Sequence, residues 1–177
     1  MRVDDEALVE RAKKGDVRSY EELVMRYSRL VFAAAYGVLE DVEAARDVSQ
    51  ETFLRAWLKI RDFRGRSKFS TWVYSVARNA ALDHIRKMKV RATVPVEDVP
   101  EPSYEPDHRA EIIDSAMECL DERERECLNL HFRGGLSAAE IADVMGLSEG
   151  NIRVIMFRAR KKLRERLQGR ENELLGG

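Results

Sequence analysis

The sequence predicts an all-α protein: two small helical domains joined by an acidic, proline-rich linker, with the C-terminal domain a helix-turn-helix. Three observations carry this expectation. No stretch alternates apolar and polar residues with the period of a strand, whereas apolar positions recur at three- and four-residue spacing through most of the chain. All four prolines fall within residues 95–106, PVEDVPEPSYEP. Proline cannot donate to a helix ladder, and it biases its predecessor toward extended backbone. Residues 92–107 add five carboxylates and no basic side chain, so this segment is expected to be extended and solvated. The chain therefore divides into residues 1–92, a flexible acidic linker over 93–110, and residues 111–177.

The elements follow in order. In the first unit the periodicity predicts helices near 5–14, 17–38, 43–61 and 70–88. They are separated at Gly15-Asp16, at LEDVE and at DFRGRSKFS, where Ser70 is a suitable N-cap. In the second unit helices are expected near 109–120, 122–133, 138–145 and 149–168, with the break RGGLS between the second and third. Ser137 and Glu140 have the spacing of a capping box.

Charge is strongly segregated beneath a formal net charge of −1. Basic residues outnumber acidic ones by eleven to two over 55–91 and by eight to three over 153–177. Two basic islands on an otherwise acidic chain suggest two separate polyanion sites. The start, MRVDDEALVE, lacks the apolar core of a signal peptide. LVFAAAYGVL is too short for a bilayer and reads as a buried helix. Cys119 and Cys127, about 12 Å apart along a helix, are too distant to bridge. No CxxC or HExxH is present, and His84, His108 and His131 are isolated. These features predict a cytoplasmic chain with no membrane insertion, no metal and no cofactor.

SAAEIADVMGLSEGNIRVIMFRARKKL predicts a helix-turn-helix. Gly146 suits a left-handed turn, Ala142 allows close helix crossing, and Ser148 can cap the longer helix. Ile141, Met145, Leu147, Ile152 and Ile155 can form its small core. Projection at 100° per residue puts Ile152, Ile155, Met156, Ala159, Leu163 and Leu167 on the core arc. Arg153, Val154, Phe157, Arg158, Lys161 and Arg164 share the opposite arc, with Lys162 alongside. Basic groups there can reach phosphates and guanine edges, while Val154 and Phe157 can meet thymine methyls in a major groove. The alternative is that Phe157 packs beneath a neighbouring helix.

The other island, FRGRSKFSTWVYSVARNAALDHIRK, interleaves aromatics with basic residues. Val73, Val76, Ala77, Ala80, His84 and Met88 are the expected buried face. Trp72, Asn79 and Arg86 repeat every seven residues on another stripe, offering a stacking surface, an amide for a base edge and a phosphate partner. Phe63 and Phe69, in a loop with Arg64, Arg66 and Lys68, could flank an unstacked base, as aromatic platforms in positive grooves do for single strands. The alternative reading makes the aromatics core and the basic groups a solvated rim. A third face lies in DVEAARDVSQETFLRAWLKI. Ala45, Val48, Thr52, Ala56 and Ile60 line the core side, with Asp47, Gln50, Glu51, Leu54 and Leu58 nearly opposite. Leucines flanked by carboxylates suggest a partly basic protein partner.

Taken together, DVSQETFLRAW, FRGRSKFSTWVYSVARNAALDHIRK and the terminal helix-turn-helix ending FRARKKLRERL resemble the extracytoplasmic-function sigma factors of the bacterial sigma-70 family. The resemblance implies that 1–92 is region 2 and 111–177 is region 4. It implies a non-catalytic promoter-specificity subunit that binds core RNA polymerase and promoter DNA, duplex and single-stranded. Asp47, Gln50, Glu51 and Leu54 would dock on the β′ clamp helices, and region 4 would meet the β flap. Phe63, Arg64, Lys68, Phe69, Trp72, Asn79 and Arg86 would serve −10 capture and melting. Arg153, Val154, Phe157, Arg158, Lys161 and Lys162 would serve −35 recognition. The acidic linker would thread the polymerase RNA channel. The resemblance also implies a role in stress response and control by an anti-sigma factor, which can hold such a protein at the membrane. QGRENELLGG reads as a frayed end, so signal sensing is expected in a separate protein. Val154 and Ile155 depart from the polar residues common at those positions, so the −35 sequence does not carry over. A stand-alone helix-turn-helix regulator is the alternative. An enzyme acting on nucleic acid is disfavoured because Asp62 and Asp83 are the only acids in 55–91, too sparse for a two-metal centre.

Overall fold

The computed structural model describes residues 4–92 and 115–168. The linker expected over 93–110, and the C-terminal QGRENELLGG from Gly169 onward, lie outside the described residues. The first unit contains α1 (Asp5–Lys13), α2 (Val17–Leu39), α3 (Val42–Lys59) and α4 (Phe69–Ala92), with a 3-10 turn at Ile60–Asp62. The second contains α5 (Glu122–Phe132), α6 (Ala138–Met145) and α7 (Glu149–Leu167), preceded by helical residues 115–117. No strand occurs among the described residues.

Caps explain most of the boundaries. Asp16 accepts from the amides of Arg18 and Ser19 to start α2, and Asp41 accepts from Ala44 to start α3. Glu40, between them, turns the chain in the left-handed region at φ 56°. Ser137 and Glu140 form the expected capping box, Gly146 ends α6 at φ 68°, and Ser148 caps α7. Asp121 and Glu124 form a second capping box at the start of α5. One cap differs from expectation. The amide of Trp72 donates to the carbonyl of Lys68, so α4 starts at Phe69 and Ser70 sits in its first turn.

In the first unit α2 packs against α1, α3 and α4. Leu23, Val31, Val48, Ile60, Val73 and Ala77 are fully enclosed there, with Ala45, Thr52 and Ala56. The core side expected for α3 is thus all buried. On α4 the expected face is buried at Val73, Ala77 and Ala80, half-buried at Val76 and His84, and exposed at Met88. Tyr74, which the projection left out, is buried instead.

The two units are not separate bodies joined only by a linker. Cys127, Leu130, Ile141, Val144 and Ile152 of the second unit belong to the same apolar core as Leu30, Phe69, Val73 and Ala77 of the first. The junction brings α5 onto α2 and α6 onto α4.

Among the described residues no helix is long and apolar enough to cross a membrane, and no His, Cys, Asp and Glu gather as a metal-binding group. Cys127 is buried beside the Met145 sulfur at 3.5 Å, and burial pushes its thiol up to about 11. Cys119 is exposed. The thiolate is the reactive form, so a native-state titration with a thiol reagent at pH 8 is expected to modify Cys119 rapidly and Cys127 only on unfolding. Rapid reaction of both would mean that the core around Cys127 opens readily.

Candidate nucleic-acid interface

The helix-turn-helix is held by a small core. Ile141 and Ala142 of α6 and Ile152, Met156 and Ala159 of α7 are buried, with Met145, Leu147 and Ile155 packed at its edge. The far side of α7 is open. Val154 is 48% exposed and Phe157 is 70% exposed, so Phe157 does not pack beneath a neighbouring helix. Arg153, Arg158, Lys161 and Arg164 are exposed around them. Arg153 is steadied by Glu149 at 2.6 Å, one turn earlier. This surface is a basic face carrying two apolar side chains, as the projection required.

Lys162 stands apart from that set. Its ammonium lies 2.7 Å from the Glu124 carboxylate, and that hydrogen bond raises its pKa. Glu124 is buried, and the same Oε2 accepts from the amide of Asp121 in the α5 capping box. The lysine expected to hold a phosphate is therefore engaged inside the second unit, tying α7 to the start of α5. Sequence spacing could not show this, because the partners are 38 positions apart. Phe132 was also missed. It is exposed at the end of α5, with the Arg160 guanidinium 5.7 Å from its ring centre.

The loop before α4 differs from expectation in one respect. Phe63 and Phe69 are buried, not presented to solvent. Their centroids are 6.0 Å apart edge to face, and Trp72 lies 5.1 Å and 5.5 Å from them. Tyr27 closes the cluster 5.3 Å from Phe69. Such geometry suits aromatic quadrupoles, and the rings gain more by burying each other than by waiting for a base. The correction is that Phe63 and Phe69 support the loop from below, while Trp72 remains half-buried at its edge. Arg64, Arg66 and Lys68 project outward, and Gly65 turns the loop at φ 67°. Asn79 is exposed two turns beyond Trp72, and Arg86 is exposed and 2.9 Å from Asp83. The stripe of Trp72, Asn79 and Arg86 thus keeps a solvent-facing edge along α4.

The α3 face is open as expected. Leu54 and Leu58 are 67% and 78% exposed, with Asp47 and Gln50 exposed beside them. Glu51 is half-buried and pairs with Arg55 at 2.6 Å, and Arg55 reaches on to Asp83 at 3.4 Å. That chain of charges anchors Glu51 to α4 and leaves Asp47 as the freer carboxylate.

Comparison with known proteins places these surfaces in context. The family described as Sigma-70 region 2 matches residues 23–91, and the one described as Sigma-70, region 4 matches residues 110–163. The chain is 33% identical to the RNA polymerase sigma-H factor of Pseudomonas aeruginosa, covering 93% of this chain and 94% of that protein. It is 27% identical to the ECF RNA polymerase sigma factor SigW of Bacillus subtilis, covering 90% and 95%. Among solved structures, CnrH in complex with the cytosolic domain of CnrY aligns with a TM-score of 0.67 at 26% identity, covering 93% of this chain and 97% of that one. RpoE of Bartonella quintana, in complex with the anti-sigma factor NepR, aligns with a TM-score of 0.58 at 25% identity, covering 84% and 96%.

The Lys162–Glu124 contact makes its own prediction. Lys162→Ala is expected to lower the thermal midpoint, because it leaves a buried carboxylate without its cation. The salt dependence of duplex binding should be unchanged. A slope reduced by about one would instead return Lys162 to a phosphate.

Proposed function

Because this chain belongs to the extracytoplasmic-function group of the sigma-70 family, we propose that each open surface serves one step of transcription initiation. The protein is an RNA polymerase sigma factor: it binds core polymerase, directs it to specific promoters and promotes DNA melting. Its partners are core RNA polymerase, promoter DNA and an anti-sigma factor. It works beside polymerase in the bacterial cytoplasm and supplies no catalytic group of its own. Residues 1–92 act as region 2 and 111–177 as region 4, with 93–110 as the tether between them.

The observation that carries this reading is the presence of both family regions, in order, on one chain that matches sigma factors along nearly their whole length. In the proposed division of labour, Asp47, Gln50 and Leu54, with Leu58 and Glu51, meet the β′ clamp helices. Arg64, Lys68, Trp72, Asn79 and Arg86 handle the −10 element, with Phe63 and Phe69 shaping the loop. Arg153, Val154, Phe157, Arg158 and Lys161 read the −35 element. The exposure of Val154 and Phe157 supports base contact, since apolar side chains have no role at a phosphate but can meet thymine methyls beside arginines that reach guanine edges.

The reading is tested by adding the purified chain to core polymerase and measuring promoter-directed transcription. Tight, specific binding to promoter duplex without polymerase would favour the regulator. Asp47→Lys with Leu58→Ala is expected to weaken co-purification with core while leaving the helical circular-dichroism signal intact; undiminished binding would remove α3 as the docking face. In a selection of bound −35 sequences, Phe157→Ala should change the preferred bases, at roughly 1–3 kcal/mol per lost contact. An unchanged preference would take Phe157 out of the reading set.

Trp72 and Asn79 should fail differently. Extruding a base costs a few kcal/mol, and a stacked indole returns roughly 1–3 kcal/mol whatever the base. An amide, by contrast, leaves mismatched edges unpaired. On duplex promoter both alanine variants should transcribe poorly. On a promoter with a preformed bubble, Trp72→Ala should recover most of its activity, while Asn79→Ala should still fail to discriminate bases. Rescue of neither variant would end this division of labour.

A further inference from the structure

Helix α1 lies outside the stretch that matches region 2, which begins at residue 23, yet it packs against the 3-10 turn that leads into the loop before α4. Its apolar residues Leu8, Val9 and Ala12 are buried. Three- and four-residue spacing puts Asp5 on the same stripe, at its N-terminal end. A carboxylate in line with a buried stripe needs partners, because withdrawing a charge from water is costly unless it is paired and hydrogen-bonded. α2 supplies two of them. The Tyr27 hydroxyl donates to Asp5 Oδ2, and the Arg26 guanidinium lies 2.7 Å from Oδ1. Arg26 also reaches Glu22 at 2.9 Å.

The tyrosine has a second neighbour. Its ring centre lies 5.3 Å from that of Phe69, and the Phe69 ring in turn lies 5.5 Å from Trp72. Contacts therefore run from Asp5 through Tyr27 and Phe69 to the indole, with Phe63 closing the triangle 5.1 Å from Trp72. α1 meets this cluster again one end later, where the Lys13 ammonium stands 5.7 Å from the Phe63 ring centre. Ring-on-ring contacts are weak and tolerate several angles, so they do not by themselves select one arrangement. A hydrogen bond to a carboxylate is stronger and directional. Burial first, and then the bond to Asp5, raise the Tyr27 pKa, so the phenol stays a donor. Trp72 is only half-buried, and the rings beneath it decide its tilt.

We propose that Asp5 is a positioning residue for promoter melting: by holding the Tyr27 hydroxyl it fixes the ring on which Phe69 rests, and so the angle at which Trp72 presents its open edge. The inference rests on the −10 reading of Trp72 for the step affected. Its rival is that Asp5 only tethers α1 to α2, a task that its ion pair with Arg26 would perform without the tyrosine.

The test uses holoenzyme assembled from the full chain to measure open-complex formation on duplex promoter. The free chain is used for fluorescence of Trp72 in a Trp57→Phe background, since those two are the tryptophans of the sequence. Asp5→Ala and Tyr27→Phe should each reduce opening about tenfold, the scale of a lost hydrogen bond to a charged group. Combined, they should be no worse than either alone, as two ends of one interaction should be. Both should let acrylamide quench Trp72 more readily. Asp5→Asn, which keeps an oxygen acceptor, should recover part of both signals. Arg26→Gln should lower the thermal midpoint yet leave opening and quenching as in the wild type. A preformed bubble should restore transcription by Asp5→Ala, which a variant that merely unfolds would not show. Additive losses, or unchanged Trp72 quenching, would overturn the proposal. So would an Arg26→Gln variant as defective as Asp5→Ala, which would leave Asp5 a tether of α1. If quenching responds as expected but the wild-type holoenzyme opens no promoter, the sigma-factor reading falls and the linkage from Asp5 to Trp72 stands.

Discussion

The packing of α2 is the constraint on which the rest of the structure depends. Leu30, Val31, Ala33, Ala34, Ala35 and Tyr36 are all buried. Successive helical residues are turned 100° from one another, so this run has core on almost every side. The alanines let other helices come close at that level. α1, α3 and α4 cover α2 within the first unit, and α5 covers what remains. Gly37 lies close against α5: a Cβ there would sit 3.5 Å from the Asn129 side-chain amide. The second unit therefore completes the burial of a helix whose own unit leaves one side uncovered. That fixes where α6 and α7 stand, and so which faces of α4 and α7 remain open.

Local features were legible in the sequence because local chemistry decides them. The capping box of Ser137 and Glu140, the left-handed Gly146, the cap at Ser148 and the buried side of α3 all follow from spacing alone. The same holds for the exposed Val154 and Phe157, since a helix seven turns or fewer in length with one apolar arc can face its core only one way. What the sequence did not disclose depends on partners far along the chain. Phe63 and Phe69 flank a basic loop, and only the position of Tyr27 and Trp72 shows that the rings turn inward. Lys162 looks like its basic neighbours until Glu124 is placed beside it. Tyr74 and Arg78 form no conspicuous motif, yet they are where the two units meet. Dividing the chain at a proline-rich segment left the arrangement of the two units open, because such a segment says nothing of adhesion between what it joins.

Electrostatics then sorts the basic residues into two kinds. Lys68, Arg78, Arg125 and Lys162 are spent on carboxylates of the protein itself. Arg64, Arg66, Arg158 and Arg164 are exposed and carry no ion pair among the described residues. An arginine left in water costs the fold nothing and gains it nothing, whereas an internal pair orders a junction or a cap. Both kinds occur in the loop before α4 and on α7. A polyanion approaching α4 therefore meets free cations first and must then compete for the engaged ones. That competition becomes weaker as salt screens the protein's own pairs, while salt also weakens the polyanion.

Val154 and Phe157 press the functional argument furthest. Burying a side chain of this kind contributes roughly 1.5–3 kcal/mol, so leaving two of them in water forgoes a sizeable share of what a small helical unit can gain. Among the described residues, turning α7 does not recover it. The opposite arc of α7 is already committed to Ile152, Met156 and Ala159, and rotating the helix would expose those three to bury two. A protein partner could cover the pair, but it would also have to accommodate Arg153, Arg158, Lys161 and Arg164 around them. That many cations call for a densely anionic surface with apolar groups recessed within it. The major groove of duplex DNA has that character, with thymine methyls on its floor and phosphates on both rims. An apolar pair set among cations is then the complement of the ligand, and its exposure in the free chain is what such a complement requires.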